Sequence, residues 1–268
     1  MRYDRGAIAE GGHFMDQQAM QEHAQQLLTY ALDVGEGLLT RGAEVGRVED
    51  TITRILTAQG AQRVDVFSIT SSIVVTCRWP FGTITQTRRV TAASYDMTAI
   101  TSLNALSREI CTGTLPPEAI DGRLAAIARG PAYPYPLIVL FNGAASFVFS
   151  LFFGGSLLDA VISGLIGMLI RLMLSGLRRL QVPGLAVTLL CAIVGGFLAH
   201  GLMGLGVPCS ADKISIGDIM LLVPGIHMTN AIRDMFTGDT ISSLLRFTEA
   251  LLLSLALAWG FALPSLLG

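Results

Sequence analysis

Charge is what this chain has least of. Asp, Glu, Lys and Arg make up 14% of its 268 residues, while hydrophobic residues make up 51%. Soluble domains carry about 25% charge, so a water-facing surface over the whole chain is excluded. The formal net charge is −2, which leaves no basic field to hold nucleic acid. Cysteine is also scarce. Cys77, Cys111, Cys191 and Cys209 are scattered with no CxxC pair, so neither a disulfide framework nor a zinc site is indicated. His13 and His23 have no companions at metal-ligand spacing, and no metal or cofactor is expected. No GxxxxGK[ST] motif occurs, so ATP is not the expected energy source. The first 25 or so residues hold no apolar core of the signal-peptide kind. A cytoplasmic N-terminus is therefore expected.

The charge that exists is unevenly placed: 12 of the 18 basic residues precede Pro131. This divides the chain into a mobile tail (1–21), a small cytoplasmic α+β domain (22–131) and a transmembrane helical domain (132–268). In the front half, Ala24, Leu27, Leu28, Ala31, Leu32, Leu38 and Leu39 fall on one helical face. Gly42 is placed to cap that helix. A second helix is expected over about 43–58, with Val45, Val48, Ile52, Ile55 and Leu56 as its stripe. Short β-branched runs at 64–69, 73–77 and 83–87 read as strands, the last two joined by a turn at Trp79-Pro80-Phe81-Gly82. Helical periodicity returns at Ala99, and Pro116-Pro117-Glu118 opens another helix.

The back half is a membrane α-helical domain of about five transmembrane helices, since each apolar stretch approaches the roughly 20 residues that a bilayer requires. The expected spans are 136–153, 157–177, 185–205, 214–231 and 244–264. Arg178, Arg179, Arg233 and Arg246 flank the second and fourth loops. Basic residues collect on the cytoplasmic side, which agrees with an inner-membrane, multi-pass chain whose N-terminus is inside. Glycines at 164, 167, 195, 196, 201 and 204 are expected to let helices pack closely. Arg171, His200 and Glu249 lie near span ends and read as interfacial residues.

Polar residues inside lipid are costly and usually functional. The fourth span contains Asp218, Pro224-Gly225, His227, Thr229, Asn230, Arg233 and Asp234. A Pro-Gly pair removes a helical hydrogen bond, and transporters use such broken helices to expose a positive helix end to an anion. Pro224, Gly225, His227, Thr229, Asn230 and Arg233 are thus candidate substrate-binding residues for a carboxylate. Asp218 is a candidate carrier of a coupling proton. Asp159 is a second candidate, with a helix-capping role standing equally beside it. Glu44, Arg47, Glu49 and Asp50 form either a polar site or a solvated helix face.

Several of these runs resemble the threonine/serine exporter family. They are Gly42-Ala43-Glu44-Val45-Gly46-Arg47-Val48-Glu49-Asp50, Phe152-Phe153-Gly154-Gly155 with Asp159, Val223-Pro224-Gly225, and Asn230-Ala231-Ile232-Arg233-Asp234 with Gly238-Asp239. The resemblance is to the longer subunit of the family's split, two-polypeptide form, the succinate-exporter type. It implies a smaller transmembrane partner subunit in a hetero-oligomer, a small carboxylate substrate (threonine, serine or a dicarboxylate) and coupling to the proton motive force. It also makes gating or partner docking the expected role of Glu44, Arg47, Glu49 and Asp50. Two alternatives stand beside an exporter subunit: a regulatory or scaffold subunit, and a membrane-anchored hydrolase using Ser94, Cys77 or Cys111. The hydrolase lacks a histidine near any of these nucleophiles in sequence.

Overall fold

A computed structural model describes residues 6–91, 94–113, 115–130 and 133–267, with side chains from residue 18 onward. His13 and the junction at 131–132 therefore lie outside what can be described in detail. The chain forms two compact units, Met1–Pro131 with Asn230–Leu245, and Ala132–Thr229 with Arg246–Gly268.

The first unit opens with α1 (Gly6–Thr40), followed by α2 (Val45–Ala58). Helix was expected only from about Ala24, after a mobile tail. The structure carries it back to Gly6, because Ala, Glu, Gln and Met there are good helix formers and no proline interrupts them. Packing still begins at Ala24, since residues 18–23 are exposed. Strands β1 (Arg63–Ile69), β2 (Ser72–Trp79) and β3 (Gly82–Arg89) make an antiparallel meander in the order β1-β2-β3. The two-residue turn at Pro80-Phe81 sets the β2–β3 register by pairing Trp79 with Gly82. On β2 the side chains alternate, with Ile73, Val75, Cys77 and Trp79 buried, so one sheet face joins the core.

Helices α3 (Met97–Cys111) and α4 (Pro117–Arg129) complete that core. The Asp96 carboxylate caps α3 by accepting from the Ala99 N–H at 2.9 Å. Leu28, Leu32, Leu38, Ile52, Ile55, Leu56, Ile73, Leu103, Leu106 and Ile110 are all under 2% or about 2% exposed. Each contributes roughly 1.5–3 kcal/mol by leaving water.

The second unit is helical: α5 (Tyr135–Phe152), α6 (Leu157–Arg179), α7 (Gly184–Gly204), α8 (Ala211–Ile219), the first turn of α9 (Gly225–Thr237) and most of α10 (Thr240–Leu267). Among the described residues, α5, α6, α7 and α10 are the four helices long and apolar enough to cross a membrane, and only 17% to 39% of each apolar window is buried within the protein. Outward-facing Leu140, Phe141, Val148, Leu165, Leu172, Leu251 and Leu255 form the kind of surface that needs lipid.

The fourth expected span is not a single helix but is divided between α8 and α9, so four continuous helices among the described residues are long enough to cross. Helix α8 has nine residues, about 14 Å of rise, and a non-helical stretch at 220–224 separates it from α9. The apolar window is divided because Pro224 cannot donate to the helical ladder.

Glycine allows the closest approach in this unit. A Cβ on Gly143 would lie 2.8 Å from the Gly164 carbonyl, so α5 and α6 pack backbone to backbone there. Gly167, Gly195 and Gly196 also have neighbours where a Cβ would go, whereas Gly201 and Gly204 face open space, contrary to the packing role expected of all six.

Candidate functional site

Helix α8 packs against α5, α6 and α7, and it brings Asp218 to the point where α5 and α6 each present a serine. The Asp218 side chain is fully buried. Its Oδ1 accepts from the Ser146 hydroxyl, and the Ser163 hydroxyl lies 3.2 Å from the same oxygen. The two hydroxyls are 2.8 Å apart. Among the described residues, Asp218 Oδ2 is buried with no hydrogen-bond partner, as are the hydroxyls of Ser150 and Ser215. Gly217 permits this assembly: a Cβ there would lie 2.8 Å from the Ser146 carbonyl and 3.0 Å from Ser150 Cβ. Among the described residues, no cation forms an ion pair with Asp218. The result is a buried carboxyl with one oxygen held by serine hydroxyls and the other without a partner among the described residues.

Asp159 is different. It is the N3 residue of a capping box, its Oδ2 accepting from the N–H and hydroxyl of Ser156 at 2.8 Å each while Ser156 Oγ accepts from the Asp159 N–H at 3.2 Å. Its Oδ1 accepts from the Ser210 N–H at 2.7 Å. Both oxygens are engaged, so Asp159 caps α6 and ties the start of α8 to it.

The expected interruption is present. Pro224 is buried, and its carbonyl accepts from the Met228 N–H at 3.1 Å, opening α9. No acidic residue lies in the first turn of α9, so nothing in that turn offsets its positive end. Gly225 and Thr229 are exposed and His227 is half-buried. Thr229 donates back to the Gly225 carbonyl at 3.0 Å.

Asn230 and Arg233 lie further along α9 and have partners of their own. The first unit joins them to the Gly42–Asp50 run. Gly42 terminates α1 with φ +85°, which accounts for glycine there. Its N–H reaches Leu39 O at 3.1 Å and the Ala43 N–H reaches Leu38 O at 3.0 Å, a Schellman cap. Asn230 Nδ2 donates to the Gly42 carbonyl at 2.9 Å. Arg233 pairs with Glu44, the N-cap residue of α2. The buried Asp234 accepts from the Val45 N–H at 3.4 Å. Helix α2 has no acidic residue in its own first turn, so Asp234 supplies the negative charge that a helix N-terminus favours. Thr237 donates to Asp239 at 3.1 Å, and that carboxylate stands 3.4 Å from where a Cβ on Gly46 would be.

The other three residues of the expected gating group are spread out. Glu49 accepts from the N–H and hydroxyl of Ser68 at 2.7 and 3.1 Å, fastening α2 to β1. Burial pushes its carboxyl above the usual range, against the bonds from Ser68. Asp50 pairs with Arg54 in the open, and Arg47 is exposed. For the hydrolase alternative, burial raises the buried Cys77 thiol to about 11, which leaves little reactive thiolate there, and pushes the partly exposed Cys111 in the same direction. No cluster of His, Cys, Asp and Glu among the described residues is arranged to hold a metal.

Ser146, Ser150 and Ser163 were not singled out from sequence, and Asp234 was named only as part of the Asn230–Asp234 run. The available signal was Ser146 and Ser150, one turn apart on a largely apolar helix.

Relatives were found by sequence. A "Probable succinate transporter subunit YjjP" of Klebsiella aerogenes is 28% identical over 229 residues, covering 83% of this chain and 86% of that protein. The protein of the same description in Escherichia coli (strain K12) is 27% identical, covering 90% and 94%. A "Probable threonine/serine exporter" of Mycobacterium tuberculosis is 26% identical over 89% of this chain but only 45% of its own length. No solved structure matches. Residues 29–267 match the family described as "Putative threonine/serine exporter". This multi-pass membrane protein belongs to the threonine/serine exporter family.

Proposed function

We propose that this chain is one subunit of an inner-membrane secondary exporter for small carboxylate metabolites, coupled to protons through Asp218. The observation that carries the reading is the buried Asp218 carboxyl, held on one oxygen by serine hydroxyls and bare on the other. A buried carboxylate without a cation is costly, several kcal/mol at least. A proton on the bare oxygen removes that charge, and its loss restores it. A carboxyl that must alternate between these states among three packed helices is a coupling element. Threonine, serine and succinate-type dicarboxylates fit the names carried by the relatives.

The chain's path supports a fifth crossing. It leaves the first unit near 131 and rejoins it at 230, and between these points three helices are long enough to span. In this reading the segment 205–229 returns through the membrane as α8, the break and the start of α9. With α10 this makes five passages. The front unit then faces the cytoplasm, in keeping with its arginines. In this reading Pro224, Gly225, His227 and Thr229 lie at membrane depth, where irregular backbone is tolerated only beside protein or a water-filled path. The positive end of α9 suits a substrate carboxylate there.

Arg233 and Asn230 form the inner gate in this reading, with Glu44 acting as a resident carboxylate at the Arg233 guanidinium. A substrate carboxylate competes with Glu44 for it. A smaller membrane partner completes the path, following the description of the relatives as subunits.

The test uses proteoliposomes holding the chain with its partner and labelled succinate, serine or threonine. Asp218→Asn is expected to keep counterflow exchange while losing at least tenfold in uptake driven by an imposed pH gradient. A variant that follows the gradient as the unmodified protein does would remove Asp218 from the mechanism.

A further inference from the structure

A second polar feature lies in the first unit, away from the residues above apart from Arg47. Helices α2 and α3 run side by side, and between them is a cleft of about 350 Å³ lined by Arg47, Thr51, Arg54, Asn104, Arg108 and Cys111, with Ser107 at its base. The spacing explains the lining. Arg47, Thr51 and Arg54 recur at i, i+4 and i+7 on α2, while Asn104, Arg108 and Cys111 do so on α3. Each helix turns one polar stripe toward the other above the shared apolar core.

The donors can be counted. Thr51 and Ser107 spend their hydroxyl protons on Arg47 O at 2.7 Å and Asn104 O at 2.9 Å, so the base of the cleft donates nothing. Arg54 is paired with Asp50. Glu109, next to Arg108 in the chain, is paired with Arg123 at 2.8 Å. Arg47, Arg108 and the Asn104 amide have no partner among the described residues. Two uncompensated guanidinium groups and an amide therefore face a cleft at the small end of the size range for ligand sites, roughly 300–1,000 Å³. Guanidinium forks match carboxylate and phosphate oxygens in pairs.

We propose that this cleft binds a compact dianion, a dicarboxylate or a phosphate, on Arg47, Arg108 and Asn104. The site differs from the one proposed for transport: it lies wholly within the first unit, and its occupancy does not depend on any pathway through the membrane. It gives the front unit a means of reading an anion concentration on its own side.

Cys111 provides a local readout, because it lines the cleft and is partly exposed, while Cys77 and Cys191 are buried. Cys209, partly exposed in the other unit, is an internal reference. The full chain in detergent is treated with a maleimide in sodium succinate, inorganic phosphate, acetate or chloride at equal ionic strength. Labelling of each cysteine is followed by peptide mass spectrometry. Slowing of Cys111 by fivefold or more in succinate or phosphate is expected, with Cys209 unchanged and acetate without effect. Arg47→Gln/Arg108→Gln should abolish the protection. Protection by succinate alone identifies a dicarboxylate site, and protection by phosphate alone a phosphate site. Equal Cys111 rates in all four salts, equal slowing of Cys209, or protection that survives in the double variant would overturn the proposal. Transport coupled through Asp218 can succeed or fail independently of all these outcomes.

Discussion

Adding one methyl group at Gly217 tests the architecture of the Asp218 site without removing any of its polar groups. In Gly217→Ala the new Cβ would stand 2.8 Å from the Ser146 carbonyl and 3.0 Å from Ser150 Cβ, where ordinary contact begins at 3.4 Å. Both neighbours belong to α5 and are buried, and a backbone carbonyl cannot rotate aside. Helices α5 and α8 must therefore separate locally by about 0.6 Å, and overpacking of this kind costs about 1–3 kcal/mol. The atom nearest the new Cβ is the Ser163 hydroxyl on α6, which must turn aside and so gives up its 3.2 Å approach to Asp218. Gly201→Ala is the control, because the same methyl meets nothing within 4 Å there and alanine is favoured over glycine within a helix by about 1 kcal/mol. Thermal denaturation of the purified protein, followed by fluorescence or light scattering, is expected to show Gly217→Ala melting roughly 5 °C lower, on the order of 2–4 °C per kcal/mol. Gly201→Ala should melt at or above the unmodified temperature. Uptake driven by a pH gradient should fall in Gly217→Ala and persist in Gly201→Ala. If Gly217→Ala kept both its melting temperature and its pH-driven uptake, the close approach of α5 and α8 around Asp218 would be wrong.

Two further outcomes follow from the first unit. Glu44→Gln should lower the apparent KM for transport, and Arg233→Gln should raise it. With Arg233 58% exposed and Glu44 17%, the ion pair is worth no more than about 1 kcal/mol, so the change is at most about fivefold; a raised KM in Glu44→Gln would contradict competition at Arg233. Burial holds the Glu49 carboxyl above its ordinary value, so its contribution to stability is full below that value, about 4.3, and is lost as pH rises through the raised one. Glu49→Gln should remove that part of the decline in melting temperature with rising pH, and an identical pH profile in the variant would count against the assignment.

Local rules account for much of what was legible in the sequence. Gly42 was readable as a helix end because an αL position at C′ favours glycine. The return strand after Trp79 was readable because Pro80-Phe81 between alternating runs specifies a turn. Helical periodicity gave the stripes of α1, α2 and α3, and apolar length gave α5, α6, α7 and α10. The Pro224-Gly225 interruption was also apparent, because proline carries its structural consequence in its own covalent geometry.

Long-range pairing was not legible in the same way. Asn230 and Arg233 had the chemistry of ligand donors, but nothing local indicated that Gly42 and Glu44, about 190 residues earlier, would engage them. Asp159 and Asp218 were alike as single letters. The fold made one a helix cap with both oxygens occupied and left the other with a bare oxygen among serines. A single serine is a weak sequence signal, since a lone hydroxyl in an apolar helix can bond its own backbone. By itself, the sequence determined which segments are helix, strand, turn or span, because those follow from backbone sterics and from the spacing of apolar residues over a few neighbours. Only the tertiary structure decided which polar groups are satisfied and which are not, because that depends on atoms brought together from helices far apart in the chain.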